Sequence, residues 1–161
     1  MAQYIPDILL WLFVINHGIA FGAGLYEQRI ILPQWFSRSS ESGIRVNSAA
    51  MRSTDTGRTF WAFVTTIPLT LLTLANLVAA WQSQGPRHGW WLGAVVVTLV
   101  ERIATFSYFI PTAVRLMRAE ALPSAKVEAM ASRWMRLNHV RAALALTGWL
   151  AALRALSLPG A

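Results

Sequence analysis

The chain contains no cysteine. This excludes disulfide staples, thiolate zinc sites, cysteine-ligated iron–sulfur clusters and thiol redox chemistry, and leaves histidine, carboxylate and phenol groups as the available reactive side chains. Charge is scarce as well. Only 13% of the residues are Asp, Glu, Lys or Arg, against roughly 25% in soluble domains. With 55% hydrophobic residues and a mean hydropathy of +0.45, the 161 residues cannot cover their apolar surface with a polar skin. The composition also rules out a disordered segment, so the expected partner is the lipid bilayer. The N-terminus lacks the basic stretch of a secretory signal, and the first apolar segment is expected to remain in the mature protein. A net charge of +7 raises the question of nucleic acid, but the basic residues are spread along the chain and no such partner is expected.

Four apolar runs are present. Segments 8–32, 59–81, 90–114 and 134–153 are each long enough to cross a hydrocarbon layer of about 30 Å at about 1.5 Å per residue. Thr54, Asp55 and Thr56 supply helix-start chemistry before the second, and Gln-Gly-Pro-Arg-His-Gly at 84–89 forces a hairpin between the second and third. Residues 34–58 and 115–133 read as polar connections. They hold Arg38, Arg45, Arg52 and Arg58, and Arg115, Arg118, Lys126 and Arg133 with Arg136 beside them, whereas the opposite side holds Arg87 and Arg154. The positive-inside rule therefore puts both long connections in the cytoplasm. The expectation is a single domain, 1–161: an all-α membrane protein, an antiparallel four-transmembrane-helix bundle with both termini outside, in a bacterial inner membrane. Trp11, Trp81, Trp90 and Trp91 near the outer ends, and Trp35, Trp61 and Trp134 near the inner ones, read as interfacial belts. Pro68 and Pro111 read as tolerated kinks.

An ionisable group at mid-bilayer costs at least about 2.5–3.5 kcal/mol and so needs a partner or a wet cavity. At helical spacing, His17, Ala20, Gly24 and Glu27 form one stripe, and Glu101, Thr105, Tyr108 and Thr112 another. Asn138, Arg141, Ala145 and Gly148 form a third, and Trp61, Thr65, Pro68, Leu72 and Asn76 a fourth. Gly18 and Gly22 make a G-x-x-x-G that would admit a neighbouring helix. Arg102 is expected to point about 100° away from Glu101, toward a different neighbour. Counting depth at about 1.5 Å per residue puts Glu27, Tyr108, Asn138 and Arg141 at one level on the cytoplasmic side. His17, Glu101 and Arg102 fall near the midplane. The picture is a polar chamber open to the cytoplasm, with Glu27 opposite Arg141 as its floor, unless these charges simply pair to hold helices in register.

Three functions fit such a chamber. The first is an oxygenase or oxidoreductase acting on a lipophilic aromatic or quinone-like molecule without a cofactor or metal. Its base is Glu27 or His17, Arg141, Arg102 and Tyr108 are the donors that hold the oxyanion, and Glu101 joins them as a catalytic residue in the upper wall of the chamber. Asn138, Thr105 and Trp134 line the substrate. The second is a haem protein using His17 or His139, although about 12 Å between them along the membrane normal disfavours a ligand pair. The third is a binding or assembly protein without chemistry, a homo-oligomer packed through small-residue faces.

Segments 16–27 (NHGIAFGAGLYE), 109–111 (FIP) and 133–141 (RWMRLNHVR) resemble the small four-span bacterial proteins of the DUF1772 group, which takes in anthrone oxygenase-like proteins. The resemblance implies a four-helix membrane fold, and oxygenation of anthrone-type substrates for part of the group. It supplies no catalytic set.

Overall fold

The computed structural model describes residues 4–39 and 43–159. The extreme termini, and residues 40–42 of the first connection, lie outside the described residues. Four long helices dominate: α1 (Ile5–Trp35), α3 (Gly57–Gln82), α4 (His88–Leu116) and α5 (Ser124–Leu156). Between α1 and α3 stand a hairpin, β1 (Phe36–Ser39) and β2 (Gly43–Val46), and a short helix, α2 (Ser48–Thr54). The hairpin is antiparallel, with Phe36 opposite Val46 and Ser39 opposite Gly43. The long helices pack in a ring: α1 touches α3 and α5, and α4 touches the same two.

Helices α1, α3 and α4 are long and apolar enough to cross a membrane. Their outward faces carry large exposed apolar side chains such as Ile15, Ile19, Phe63, Leu71, Val100 and Ile103. In water these would form a costly contiguous patch, whereas against acyl chains they cost nothing. The chain is an integral membrane protein.

The connections differ from the sequence reading. Among its described residues, segment 34–58 holds a hairpin and a helix. Asn47 caps α2 by accepting from the Ala50 N–H at 3.0 Å, and Ser48 Oγ donates to the Leu116 carbonyl at 2.9 Å, tying α2 to the end of α4. The connection at 115–133 is mostly helix, because α5 starts at Ser124. Val127, Ala131 and Trp134 recur on one face there and bury against Leu32, Trp35, Phe36 and Met51, which gives this charged stretch an apolar seam to fold on.

Three helices contain a π-helical stretch: Glu27–Ile31 in α1, Gly57–Thr66 in α3 and Thr105–Phe109 in α4. Each ends two residues before a proline, namely Pro33, Pro68 and Pro111. A proline inside a helix has no N–H to donate and its ring presses on the carbonyl four residues back, so the preceding turn widens to i→i+5 bonding. These prolines are therefore register shifts as well as kinks.

Two apolar cores close the ends of the bundle. One is built on Leu10, Phe13, Leu69, Trp91, Val95 and Ala152, the other on Leu32, Trp35, Met51, Phe109, Leu116 and Trp134. Asn76 joins three helices in the first: its amide donates to the Leu9 carbonyl at 3.1 Å and accepts from Trp91 Nε1 at 3.0 Å. Trp91, Trp35 and Trp134 are thus core residues and not membrane-belt residues, while Trp11, Trp81 and Trp90 are exposed as a belt requires. Of the G-x-x-x-G, only Gly18 meets a neighbouring helix within the chain, through the Trp149 side chain of α5. A Cβ on Gly18 would lie 3.1 Å from the Trp149 indole, so that glycine makes room for a side chain, and Gly22 has nothing within 4 Å.

Candidate functional site

Between the two cores lies a cavity of about 650 Å³, within the roughly 300–1,000 Å³ that accommodates small organic ligands. Its lining follows the π-helical register. In α3 the lining includes Gly57, Trp61, Thr65 and Leu69, and in α4 Thr105, Phe109 and Ala113, each four apart. A wide turn takes up roughly one residue more than an α turn, which explains two misses of 3.6-residue periodicity. Phe109 takes the inward place expected of Tyr108, and Leu69 that of Pro68. Tyr108 instead packs beside Phe109 and under the Arg133 guanidinium, 5.6 Å from its ring.

The charged residues converge from three helices. Glu27, at the start of the π turn in α1, accepts from Trp61 Nε1 at 2.7 Å and Thr56 Oγ1 at 3.2 Å, and Arg141 of α5 stands 3.8 Å from its second oxygen. Arg141 lies over the Phe109 ring at 4.8 Å and makes no hydrogen bond among the described residues, so its donors face the cavity region with their capacity unspent. Glu101 accepts from Thr105 Oγ1 at 3.1 Å and from Arg102 Nε at 2.6 Å. Arg102 therefore does not seek a different neighbour; its long side chain folds back onto the adjacent carboxylate, and both line the cavity. Two carboxylates and two guanidinium groups leave this layer close to neutral.

His17 forms the far wall and is 1% exposed. Its Nε2 lies 2.9 Å from Thr98 Oγ1, and that hydroxyl donates to the Ala94 carbonyl at 2.7 Å. A carbonyl only accepts, so the threonine proton is committed to it and the threonine oxygen must accept from His17. Nε2 then carries the ring proton. Nδ1 is left as a bare acceptor, buried and without a partner among the described residues. Gly148 of α5 permits this packing: a Cβ there would lie 3.1 Å from Thr98 Oγ1 and 3.4 Å from the imidazole.

The other expected site residues are distributed as follows. Thr105 and Trp134 line the cavity, Trp134 donating from Nε1 to the Phe109 carbonyl at 3.2 Å. Asn138 is buried with Oδ1 unpartnered, but is not a lining residue. His139 is exposed and outside the lining, so no second imidazole joins His17. No cluster of three metal-ligating side chains occurs among the described residues. Sequence reasoning missed Thr98 and the bonds of Trp61 and Thr56 to Glu27. Extending the Glu101 stripe one turn outward would have found Thr98. Trp61 was on a polar stripe but was read as a belt residue.

A search of curated proteins and a search of solved structures each returned no match. The sequence model of the anthrone oxygenase family matches residues 55–151. That segment runs from the Asp55 corner through α3 and α4 into α5, carrying Trp61, Glu101, Arg102 and Arg141, while His17 and Glu27 precede it. Since the match takes in well over half of the chain, the protein belongs to the anthrone oxygenase family.

Proposed function

We propose that the protein is a membrane oxygenase that converts a flat, lipophilic anthrone-type molecule to the corresponding quinone inside this cavity, with His17 as the base. The single observation that carries the reading is that His17 lines an otherwise charge-balanced chamber while its buried Nδ1 has no partner among the described residues. Both carboxylates already accept hydrogen bonds, Glu27 from Trp61 and Thr56 and Glu101 from Thr105 and Arg102. Nδ1 takes the acidic C–H proton, and the resulting oxyanion pairs with Arg141, which is ion-paired with Glu27 at 3.8 Å but makes no hydrogen bond among the described residues. Imidazolium and oxyanion form together, so the chamber stays neutral through the step. The carbanion then gives its electrons to dioxygen, a C–O bond forms, and the O–O bond breaks with loss of the second carbon-bound hydrogen as water. Anthrone plus dioxygen balances to anthraquinone plus water.

The same reading includes a single domain spanning the membrane four times, with both termini outside and the hairpin, α2 and the start of α5 in the cytoplasm of a bacterial inner membrane. In support, the charge that interrupts the apolar part of α5, Arg141, lines the cavity and not the lipid face. At about 1.5 Å per residue the 33 residues of α5 reach about 50 Å, so the helix can cross about 30 Å of hydrocarbon and project its basic start beyond it.

The test is anthrone-dependent oxygen uptake by the full chain in nanodiscs, corrected for the protein-free rate. His17→Gln should lose about 100-fold or more, with the melting temperature near that of the wild type. Thr98→Val, which frees the ring tautomer, should lose activity that Thr98→Ser restores. Wild-type rates in a folded His17→Gln protein would overturn the assignment.

A further inference from the structure

We infer that the mouth of the cavity is a second subsite, built for the anionic end of an amphiphilic ligand, with Arg58 and Arg118 as its counter-charges. This rests on the reading of the cavity as a site for a flat lipophilic molecule, and it adds a carboxylate or phosphate to that molecule.

Besides Arg102 and Arg141, three arginines line the cavity, and all three sit where it opens between α2, α3 and the end of α4: Arg52, Arg58 and Arg118. Arg52 is spent. It grips both oxygens of Glu120, at 2.9 and 3.0 Å, and donates to the Met117 carbonyl at 2.5 Å. Arg58 is different: its side chain is 91% exposed and its nearest carboxylate oxygen, on Asp55, is 3.8 Å away. Arg118 is exposed and makes no side-chain hydrogen bond or ion pair among the described residues. Among the described residues Asp55 is the one carboxylate in the lining at this end, against Arg58 and Arg118, so the described mouth carries a positive surplus. Membrane topology does not call for this placement. A basic residue orients a span from anywhere on its flank, and Arg38, Arg115, Arg133 and Arg136 do so without lining the cavity.

Apolar walls, a balanced ionic layer at the inner end and a surplus of cations at the outer rim describe a binding path for an acid with an apolar body. Such a molecule in a bilayer already keeps its ring among acyl chains and its anion at headgroup level, so it needs no reorientation to enter. Guanidinium groups recognise carboxylate and phosphate oxygens in paired geometry. The anion can come from an aromatic acid or from an anionic phospholipid, and the two are separable by experiment.

The full chain in phosphatidylcholine nanodiscs is titrated with anthracene-2-carboxylate and with its methyl ester, and lipid preference is read by doping in phosphatidylglycerol. The wild type should bind the acid about tenfold more tightly than the ester, and in the Arg58→Ala/Arg118→Ala double variant the gap should close with ester affinity unchanged. If phosphatidylglycerol displaces the acid, and loses that ability in the double variant, the subsite stands and its natural anion is the lipid. Equal affinity for acid and ester, or a preference that survives the double substitution, overturns the inference. Neither probe binding at all would overturn the aromatic-ligand reading of the cavity as well. His17→Gln separates the two proposals: it should keep the acid preference while losing turnover.

Discussion

The pairing of Glu27 with Arg141 is open to a quantitative test. At 3.8 Å, Coulomb attraction at an effective dielectric constant of about 20 is about 4 kcal/mol. Most of that is offset by desolvation, so the pair adds little net stability, yet removing one partner strands a buried charge at about 3–5 kcal/mol. Glu27→Gln keeps an oxygen to accept from Trp61 and Thr56 and so removes the charge alone. Arg141→Met keeps the apolar stem over Phe109. Each single variant should lose about 3–5 kcal/mol, and the double variant clearly less than their sum, leaving a coupling of about 2–4 kcal/mol. The assay is reversible unfolding of the four proteins in mixed micelles by titration with dodecyl sulfate. Neutral hydrogen bonds between membrane helices couple by about 0.6 kcal/mol on average. A coupling at or below that value would refute the convergence of α1 and α5 on a common charged layer.

Gly148→Ala should cost about 1–3 kcal/mol and lower turnover, because its methyl group meets Thr98 and His17. Gly24→Ala, with nothing within 4 Å, should stay within about 0.5 kcal/mol or gain up to about 1 kcal/mol from helix propensity. Unfolding titrations of the two variants check both. Asn76→Ala leaves the Leu9 carbonyl and Trp91 Nε1 without their partner and should cost about 2–4 kcal/mol by the same measurement, with no effect specific to the reaction. The Arg52 hydrogen bond holds the Glu120 carboxyl below its ordinary value. A depressed carboxyl stabilises the fold above its unfolded pKa, and that contribution is lost as pH falls through the lower folded value. Melting curves in the acid range should therefore converge for the wild type and Glu120→Gln, and a constant gap would contradict the pairing.

Composition and hydropathy were enough to read the membrane and the boundaries of the three most apolar helices, because lipid imposes a length and a polarity that any crossing segment must meet. The inward stripe of α1 ahead of its wide turn, His17 to Glu27, was legible for a related reason: regular α-helical spacing holds there. Tertiary structure decided the rest. The π turns ahead of Pro33, Pro68 and Pro111 brought Phe109 and Leu69 to the cavity and left Tyr108 outside its lining, a shift that a fixed 3.6-residue period cannot register. The folding of Arg102 onto Glu101, the hydrogen bonds of Trp61 and Thr56 to Glu27, and the orphaned face of His17 depend on side-chain torsions and on neighbours as many as 81 residues away in the chain. Periodicity selects the face of a helix that turns inward, and only packing against the other helices determines what each side chain on that face meets.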